Sequence, residues 1–315
     1  MYKDARVCVV VPCYNEETQI AKVIETMPGF VDGIVVIDDK SQDSTCKVVD
    51  ALAKADSRVE LIRHEVNQGV GGAIATGYKY ARDNKYSVAV VMAGDGQMHP
   101  EDLPSILDPV VAGEVDYSKG NRLFSGDAWE MIPRVRYLGN SMLSLLTKIA
   151  SGYWHVADSQ SGYTAINLKA LETIHWDEMY KTYGQPNDLL VRLNVYGFRV
   201  RDVPIKPVYG IGEKSGIKPL RMIPRLSLLI TKLFFFRLLQ KYIIRDFHPL
   251  VFFYALGLFL FPLGMLSGGY LFLYRIFLGS VEATSALFSV FLVIMGLQFL
   301  LFAMWFDMEA NKDLK

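Results

Sequence analysis

Apolar and polar positions follow two rhythms along the first part of this chain. Arg6 to Val11, Gly33 to Ile37, Val59 to Arg63 and Ser87 to Val91 are short, mainly apolar, β-branched runs with turn residues beyond them, which predicts four buried strands. Between them apolar residues return every three to four positions, as in Val48, Leu52 and Ala55 or Ile74, Tyr78 and Ala81, which predicts helices. A helix is also expected from Tyr14 to about Met27. Strands alternating with helices through short crossovers predict an α/β fold with a mostly parallel, Rossmann-like sheet covered on both faces. Further along, helices are expected over Glu101 to Val111, Pro133 to Ser151 and Asn187 to Tyr196, and strands over Asp116 to Gly120 and Arg199 to Ile205. Leu123 to Met131 shows no such periodicity and reads as a mobile segment.

The last third has a different pattern. Phe247 to Tyr274 and Ala283 to Phe306 contain no Asp, Glu, Lys or Arg, and each exceeds the ~20 residues that cross a bilayer. A transmembrane hairpin over 247–306 is therefore expected, with spans at about 247–274 and 283–306. Before it, residues 217–246 mix apolar and basic positions at helical spacing, with Pro219 and Pro224 breaking the start. Such a segment is expected to lie in the membrane interface, with Leu228, Leu229, Phe234 and Leu238 toward the acyl chains, the alternative being a helix packed on the catalytic domain. Arg221, Arg225, Lys232, Arg237, Lys241 and Arg245 precede the first span, whereas the connector carries only Arg275 and Glu282. The positive-inside rule then puts residues 1–216 in the cytoplasm and returns the tail 307–315 there. Met1-Tyr2-Lys3-Asp4 leads into a strand and not into a signal peptide.

Composition sharpens this picture. With 315 residues, 33 basic and 33 acidic, the chain has no net field to hold nucleic acid. Cys8, Cys13 and Cys46 fit neither a zinc site nor a disulfide framework, so a reducing compartment is expected.

The candidate chemistry stands where strands end. In open α/β sheets ligands collect at the carboxyl ends of the strands. Asp95 follows the fourth strand on the glycine-flexible turn Gly94-Asp95-Gly96-Gln97, and Asp38-Asp39 follow the second. Gly69, Gly71 and Gly72 open a helix, so their backbone N–H groups are candidates to approach a diphosphate, although no Walker lysine accompanies them. Arg122, at the end of the Asp116 strand, has the paired donors that suit phosphate oxygens. His99 and His155 read as turn and packing residues, because no second histidine stands at metal spacing.

Taken in order, Val11-Pro12-Cys13-Tyr14-Asn15-Glu16, Asp38-Asp39-Lys40-Ser41-Gln42-Asp43-Ser44-Thr45, Asn67-Gln68-Gly69, Gly94-Asp95-Gly96-Gln97 and Gly120-Asn121-Arg122 resemble the motifs of family 2 glycosyltransferases. With the hairpin, the chain is similar to the polyprenyl-phosphate group that includes dolichyl-phosphate mannose synthase. The resemblance spans about Arg6 to Ser215 and implies a GT-A catalytic domain. It implies that Pro12, Tyr14, Glu16, Gly69, Gly71 and Gly94 border a nucleotide sugar, and that Asp38 or Asp39 reads the nucleobase edge. It also implies a divalent metal, Mg2+ or Mn2+, on Asp95 and Gln97. Lys214, Ser215 and Lys218 resemble a loop between catalytic domain and membrane, where they would meet the acceptor phosphate together with Arg122. The chain departs from the usual Asp-x-Asp metal motif, because Ala93 stands in place of the first aspartate. Magnesium needs only one or two protein carboxylates, so Asp95 with Gln97 is chemically sufficient.

The expected activity is inverting transfer from a nucleotide-sugar donor to a polyprenyl or dolichyl monophosphate at the cytoplasmic face of the cell or an ER-type membrane. Three alternatives stay open: transfer to a glycolipid hydroxyl, with Asp188 as general base; a processive polysaccharide synthase, for which two spans are few; and a nucleotide-sugar-binding membrane protein without catalysis. Asp188 also reads as a helix-capping residue. Gly264 and Gly268 form a small-xxx-small pair, a mark of helix contact or of a homo-oligomer.

Overall fold

The computed structural model describes residues 1–124, 134–206 and 219–315, with the side chains of 135, 136 and 219–222 left aside. Most of the segment expected to be mobile, 123–131, lies outside the described residues. The chain divides into two units, Met1–Phe235 with Leu314–Lys315, and Phe236–Asp313.

The first unit begins with β1 (Val7–Cys13), α1 (Ile20–Glu25), β2 (Gly33–Asp38), α2 (Thr45–Ala55), β3 (Val59–Arg63), α3 (Val70–Asp83) and β4 (Val88–Val91). These four strands are parallel to their neighbours in the order β3-β2-β1-β4. Successive residues of β1 serve opposite faces. Val10 packs with Ile37, Tyr78 and Leu193 on one side, and Val9 and Val11 pack with Ile20, Val36 and Leu107 on the other. Each such side chain withdrawn from water contributes roughly 1.5–3 kcal/mol. Two covered faces explain why β1 is apolar at nearly every position and not at alternate ones.

The rest of the unit is α4 (Leu103–Val111), β5 (Tyr117–Asn121), α5 (Arg134–Ser151), β6 (Thr164–Asn167), α6 (Leu168–Thr173), α7 (Gln185–Val195), β7 (Val200–Pro204) and α8 (Pro219–Leu239), whose last residues pass into the second unit. Strand β6 lies antiparallel between β4 and β5, and β7 runs parallel to β5 at the edge. Sequence pattern did not foresee β6 or α6. Thr-Ala-Ile-Asn is too short to show a period, and its place is set by the open edge of β4.

Two expected boundaries are corrected. The helix expected from Tyr14 begins only at Ile20, because residues 14–17 form a turn held by the loop after β2. Asn15, at φ +58°, and Glu16 and Glu17 donate their amides to Ser41 Oγ, Thr45 Oγ1 and Asp43 at 2.9, 2.9 and 3.2 Å. Pro224 does not break the start of α8 but stands inside it, as its sixth residue, where it removes one helical hydrogen bond. The tail is also tied down: α10, described next, reaches Ala310, and the Leu314 carbonyl accepts the Val200 amide at 3.0 Å.

The second unit holds α9 (Leu250–Phe277) and α10 (Ala283–Ala310), each 28 residues long and strongly apolar. Both are long and apolar enough to cross a bilayer, and most of their side chains are exposed. They touch through small residues. A Cβ at Gly264 would stand 2.6 Å from the Val293 nitrogen, and one at Gly296 would stand 2.3 Å from the Phe261 nitrogen. Gly268, the other half of the expected pair, meets only Ser289 Cβ at 4.0 Å. Arg237 and Asp307, both buried, pair at 2.7 and 2.9 Å, with the Tyr242 hydroxyl donating to Asp307 at 2.6 Å.

Candidate active site

The site is laid out by the carboxyl ends of β1, β2 and β4. The Gly94 amide donates to the Pro12 carbonyl at 3.1 Å, and a Cβ at Gly94 would stand 3.0 Å from Cys13 Cβ, so the turn after β4 is folded against the exit of β1. In that turn Gly96 takes φ +74°, and Asp95 accepts the Gln97 amide at 3.0 Å. Glu16, half-buried on the β1 side, has its carboxyl pushed up to about 7, first by burial and then by the nearby charges of Asp95 and Asp43. The turn that carries Asp95 is thus held against the exit of β1, where Pro12 is buried and Tyr14 is exposed.

The two aspartates after β2 divide the labour. Asp39 is buried: it accepts the amides of Gln68 and Gly69, each at 2.7 Å, and lies 2.8 Å from His64 Nδ1. Its carboxylate braces the turn before α3 through three of its acceptor sites. Asp38, also buried, accepts the Ser41 amide at 3.1 Å through one oxygen and has Cys13 Sγ at 4.0 Å from the other. His64, which sequence reasoning passed over, completes the brace by placing Nε2 2.9 Å from Thr76 Oγ1. A lone histidine after a strand offers no pattern from which to foresee it.

The candidacy of the glycines in the α3 turn is corrected. The amides of Gly71 and Gly72 donate to the Lys181 carbonyl at 2.9 and 3.2 Å, and that of Gly69 is held by Asp39. These amides are spent on the fold and not on a diphosphate. A Cβ at Gly71 would stand 2.3 Å from the Tyr180 carbonyl oxygen, so Gly71→Ala forces backbone to move. The expected loss is about 1–3 kcal/mol, read as a lower thermal midpoint of the purified protein. Beside this turn lies a cleft of about 570 Å³ whose lining includes Arg63, His64, Gln68 and Lys181.

Asp188, the base candidate, is buried in the first turn of α7, where one oxygen accepts the Tyr180 amide at 2.7 Å and the other accepts Arg192 Nε at 2.9 Å. Burial raises its carboxyl while Arg192 opposes the shift. It does not cap the helix, whose N-cap is Gly184; one oxygen holds the Tyr180 loop and the other an arginine one turn on.

At the end of β5, Arg122 meets a partner absent from the sequence-derived site. Its Nε and Nη2 donate to the two oxygens of Asp158 at 2.8 and 3.2 Å, and its amide adds a third bond at 3.1 Å. Asp158 is fully buried, yet although burial pushes its carboxyl up, Arg122 and Lys119 hold it below the usual carboxylate range. The Lys119 ammonium is itself buried and donates to the Asp158 carbonyl. Asp158-Ser159-Gln160-Ser161-Gly162 stands out as a polar run, but nothing in the sequence joins it to a residue 36 positions earlier. Lys214, Ser215 and Lys218 lie outside the described residues. His99 and His155 serve turn and packing as expected, the first accepting Tyr163 through its carbonyl and the second standing 2.7 Å from the Val200 carbonyl.

A mostly parallel sheet with an antiparallel insertion, with candidate residues beyond its strand ends, is a GT-A-like fold. The chain belongs to glycosyl transferase family 2, whose profile matches residues 8–174. It is 31% identical to the UDP-N-acetylglucosamine–dolichyl-phosphate N-acetylglucosaminyltransferase of Methanococcus voltae, over 65% of this chain and 87% of that one. It is 30% identical to the undecaprenyl-phosphate mannosyltransferase of Micrococcus luteus, over 64% and 81%. Among solved structures it shares its fold with glucosyl-3-phosphoglycerate synthase of Mycobacterium tuberculosis in complex with Mn2+ and uridine diphosphate. The TM-score there is 0.53 and the identity 20%, over 74% of this chain and 80% of that one.

Proposed function

We propose that this chain transfers a sugar, with inversion, from a nucleotide-sugar donor to a polyprenyl or dolichyl monophosphate at the cytoplasmic face of a membrane that α9 and α10 cross. The observation that carries the proposal is the union, in one family 2 chain, of the Asp95 turn folded against the exit of β1 with two apolar helices of membrane-spanning length. The names of the Methanococcus voltae and Micrococcus luteus relatives support the same acceptor class.

Among the described residues no group of three or more His, Cys, Asp or Glu stands together to hold a metal, so the donors proposed for a divalent cation are the Asp95 carboxylate and the Gln97 amide. The charges that raise Glu16 are both acidic, so the fold concentrates negative charge there, and hard cations favour carboxylate and amide oxygens. Asp95 and Gln97 would hold the ion, and it would supply positive charge against the departing diphosphate. Asp38 keeps a place at the β2 end for the nucleobase edge, and Gly94 lets the diphosphate turn lie close to β1. Arg122, aligned by Asp158 and with its side chain 24% exposed, presents a fixed positive charge to a phosphate. Lys214, Ser215 and Lys218 are proposed to meet the lipid phosphate.

A phosphate monoester loses its last proton at a pKa of ~6, so the acceptor is already a nucleophile at neutral pH. One of its oxygens attacks the anomeric carbon, and the bond to the nucleoside diphosphate breaks with its electron pair leaving on the diphosphate. No general base is required, which agrees with the full engagement of Asp188. Transfer to a hydroxyl would instead need that base, whose removal typically costs ~10²–10⁴ in rate. Asp188→Asn is therefore expected to change kcat by less than about tenfold while lowering stability, in assays with either acceptor class.

The direct test incubates the purified full chain and Mn2+ with polyprenyl phosphate and radiolabelled UDP-N-acetylglucosamine, UDP-glucose or GDP-mannose. A labelled sugar-phosphate lipid from one donor is the expected result. No labelled lipid from any donor, with nucleotide still bound, would favour a non-catalytic binding protein.

A further inference from the structure

Helix α5 is turned inside out. Its polar side faces the protein: Ser144, Thr147 and Ser151 are buried, with Thr147 bonded to Asn187 Oδ1 at 2.8 Å and Ser144 Oγ 3.2 Å from Ser159 Oγ. Its apolar side faces outward, with Leu138 60%, Met142 62% and Leu145 51% exposed at i, i+4 and i+7. A helix against water carries the opposite arrangement, and a contiguous apolar stripe of this kind marks a contact surface. Exposed Arg134 stands one turn before Leu138, and half-buried Lys148 stands at the other end of the stripe, where long cationic side chains reach headgroups.

A second helix of the same unit repeats the arrangement. On α8, Ile223, Leu228 and Phe235 are exposed beside exposed Arg225 and Lys232. Both helices pack on the same end of α7. Thr147 of α5 bonds to Asn187, and Leu229 of α8 covers Gly184, whose added Cβ would stand 2.2 Å from Leu229 Cδ2. Along the chain α8 leads directly to the apolar helices. We infer that the outward face of α5, centred on Met142, inserts into the headgroup boundary of the membrane alongside α8, so that the catalytic unit rests on the lipid surface through two helices. The inference rests on the membrane reading of α9 and α10, and the occupant it names is lipid because both faces pair apolar side chains with basic flanks.

The test uses the full chain with Cys46→Ser, since Cys8 and Cys13 are buried. Environment-sensitive fluorophores are attached at Leu138→Cys, Met142→Cys or Leu145→Cys in phosphatidylcholine–phosphatidylglycerol vesicles containing lipids brominated near the headgroup or, for the control within the span, at mid-chain. Labels at Phe259→Cys on α9 and at exposed Lys54→Cys on α2 serve as controls. The α5 labels are expected to shift to the blue and lose emission to the brominated lipid, while the Lys54 label does neither. If the Phe259 label is quenched and the α5 labels behave like the Lys54 label, the inference is overturned and the hairpin stands. If the Phe259 label is not quenched either, the membrane reading itself falls and takes the inference with it. Shielding of the α5 labels that depends on protein density and not on brominated lipid would overturn it in favour of a second copy of this chain.

Discussion

Asp95→Asn is expected to lower sugar transfer by about 10²–10³-fold without unfolding the protein, the scale on which a fixed electrostatic group acts on a developing charge. Asp95 sits on a turn shaped by Gly96 and closed by its own bond to the Gln97 amide, a bond that the asparagine oxygen can still accept. The substitution therefore removes charge and leaves shape. With Ala93 in place of the first aspartate, Asp95 is the carboxylate that the motif itself offers the metal, and nearby Glu16 cannot make good the loss alone. The measurement pairs initial rates of lipid glycosylation with calorimetric titration of Mn2+ and a thermal midpoint. A variant with unaltered rate and Mn2+ affinity would show that this turn is not the diphosphate site. Ala93→Asp is expected to tighten Mn2+ binding, since it adds a second carboxylate on the same turn.

Asp158→Ala is expected to destabilise the protein by about 3–5 kcal/mol, the cost of stranding the partner of a buried ion pair. Asp158 is fully buried and accepts three bonds from Arg122, and its removal leaves Lys119 buried with less opposing charge. The sign with pH follows from the shift. A carboxyl held below its ordinary value contributes fully above the unfolded pKa of ~3.9 and loses that contribution as pH falls through the folded value. The gap between wild type and variant is thus expected to be constant from neutral pH down to about 4 and to narrow below it. Chemical unfolding in detergent at several pH values measures this. A gap that widens in acid would mean that Asp158 is not ionised in the fold. Asp158→Ala should also weaken binding of the acceptor, because Arg122 loses the brace that orients it.

The candidate turn after β4 was legible because its chemistry is local. Asp95, Gln97 and Gly94 lie within four residues of one another, and a strand ending in Gly-x-Gly announces its turn. The structural roles that the sequence did not foretell share a physical cause. Asp39, Asp188, Gly69 and Gly71 look like ligands in sequence, since a carboxylate or a bare amide can serve either a substrate or the fold. Which one it serves depends on what stands opposite: His64 and the Gln68 amide for Asp39, Arg192 and the Tyr180 amide for Asp188, the Lys181 carbonyl for Gly71. None of these partners can be read from spacing.

By itself, then, the sequence determined the alternation of strands and helices, the two long apolar helices and the family motifs with their candidate residues. Hydrophobic periodicity and turn chemistry act over a few residues, so a chain read in order displays them. Only the tertiary structure decided that the Gly94 turn folds against the exit of β1, that Asp158 holds Arg122, that β6 enters the sheet in reverse, and that α5 buries its serines and shows its leucines. These are contacts between distant positions, and their energies come from burial and pairing that exist only once the chain has closed on itself.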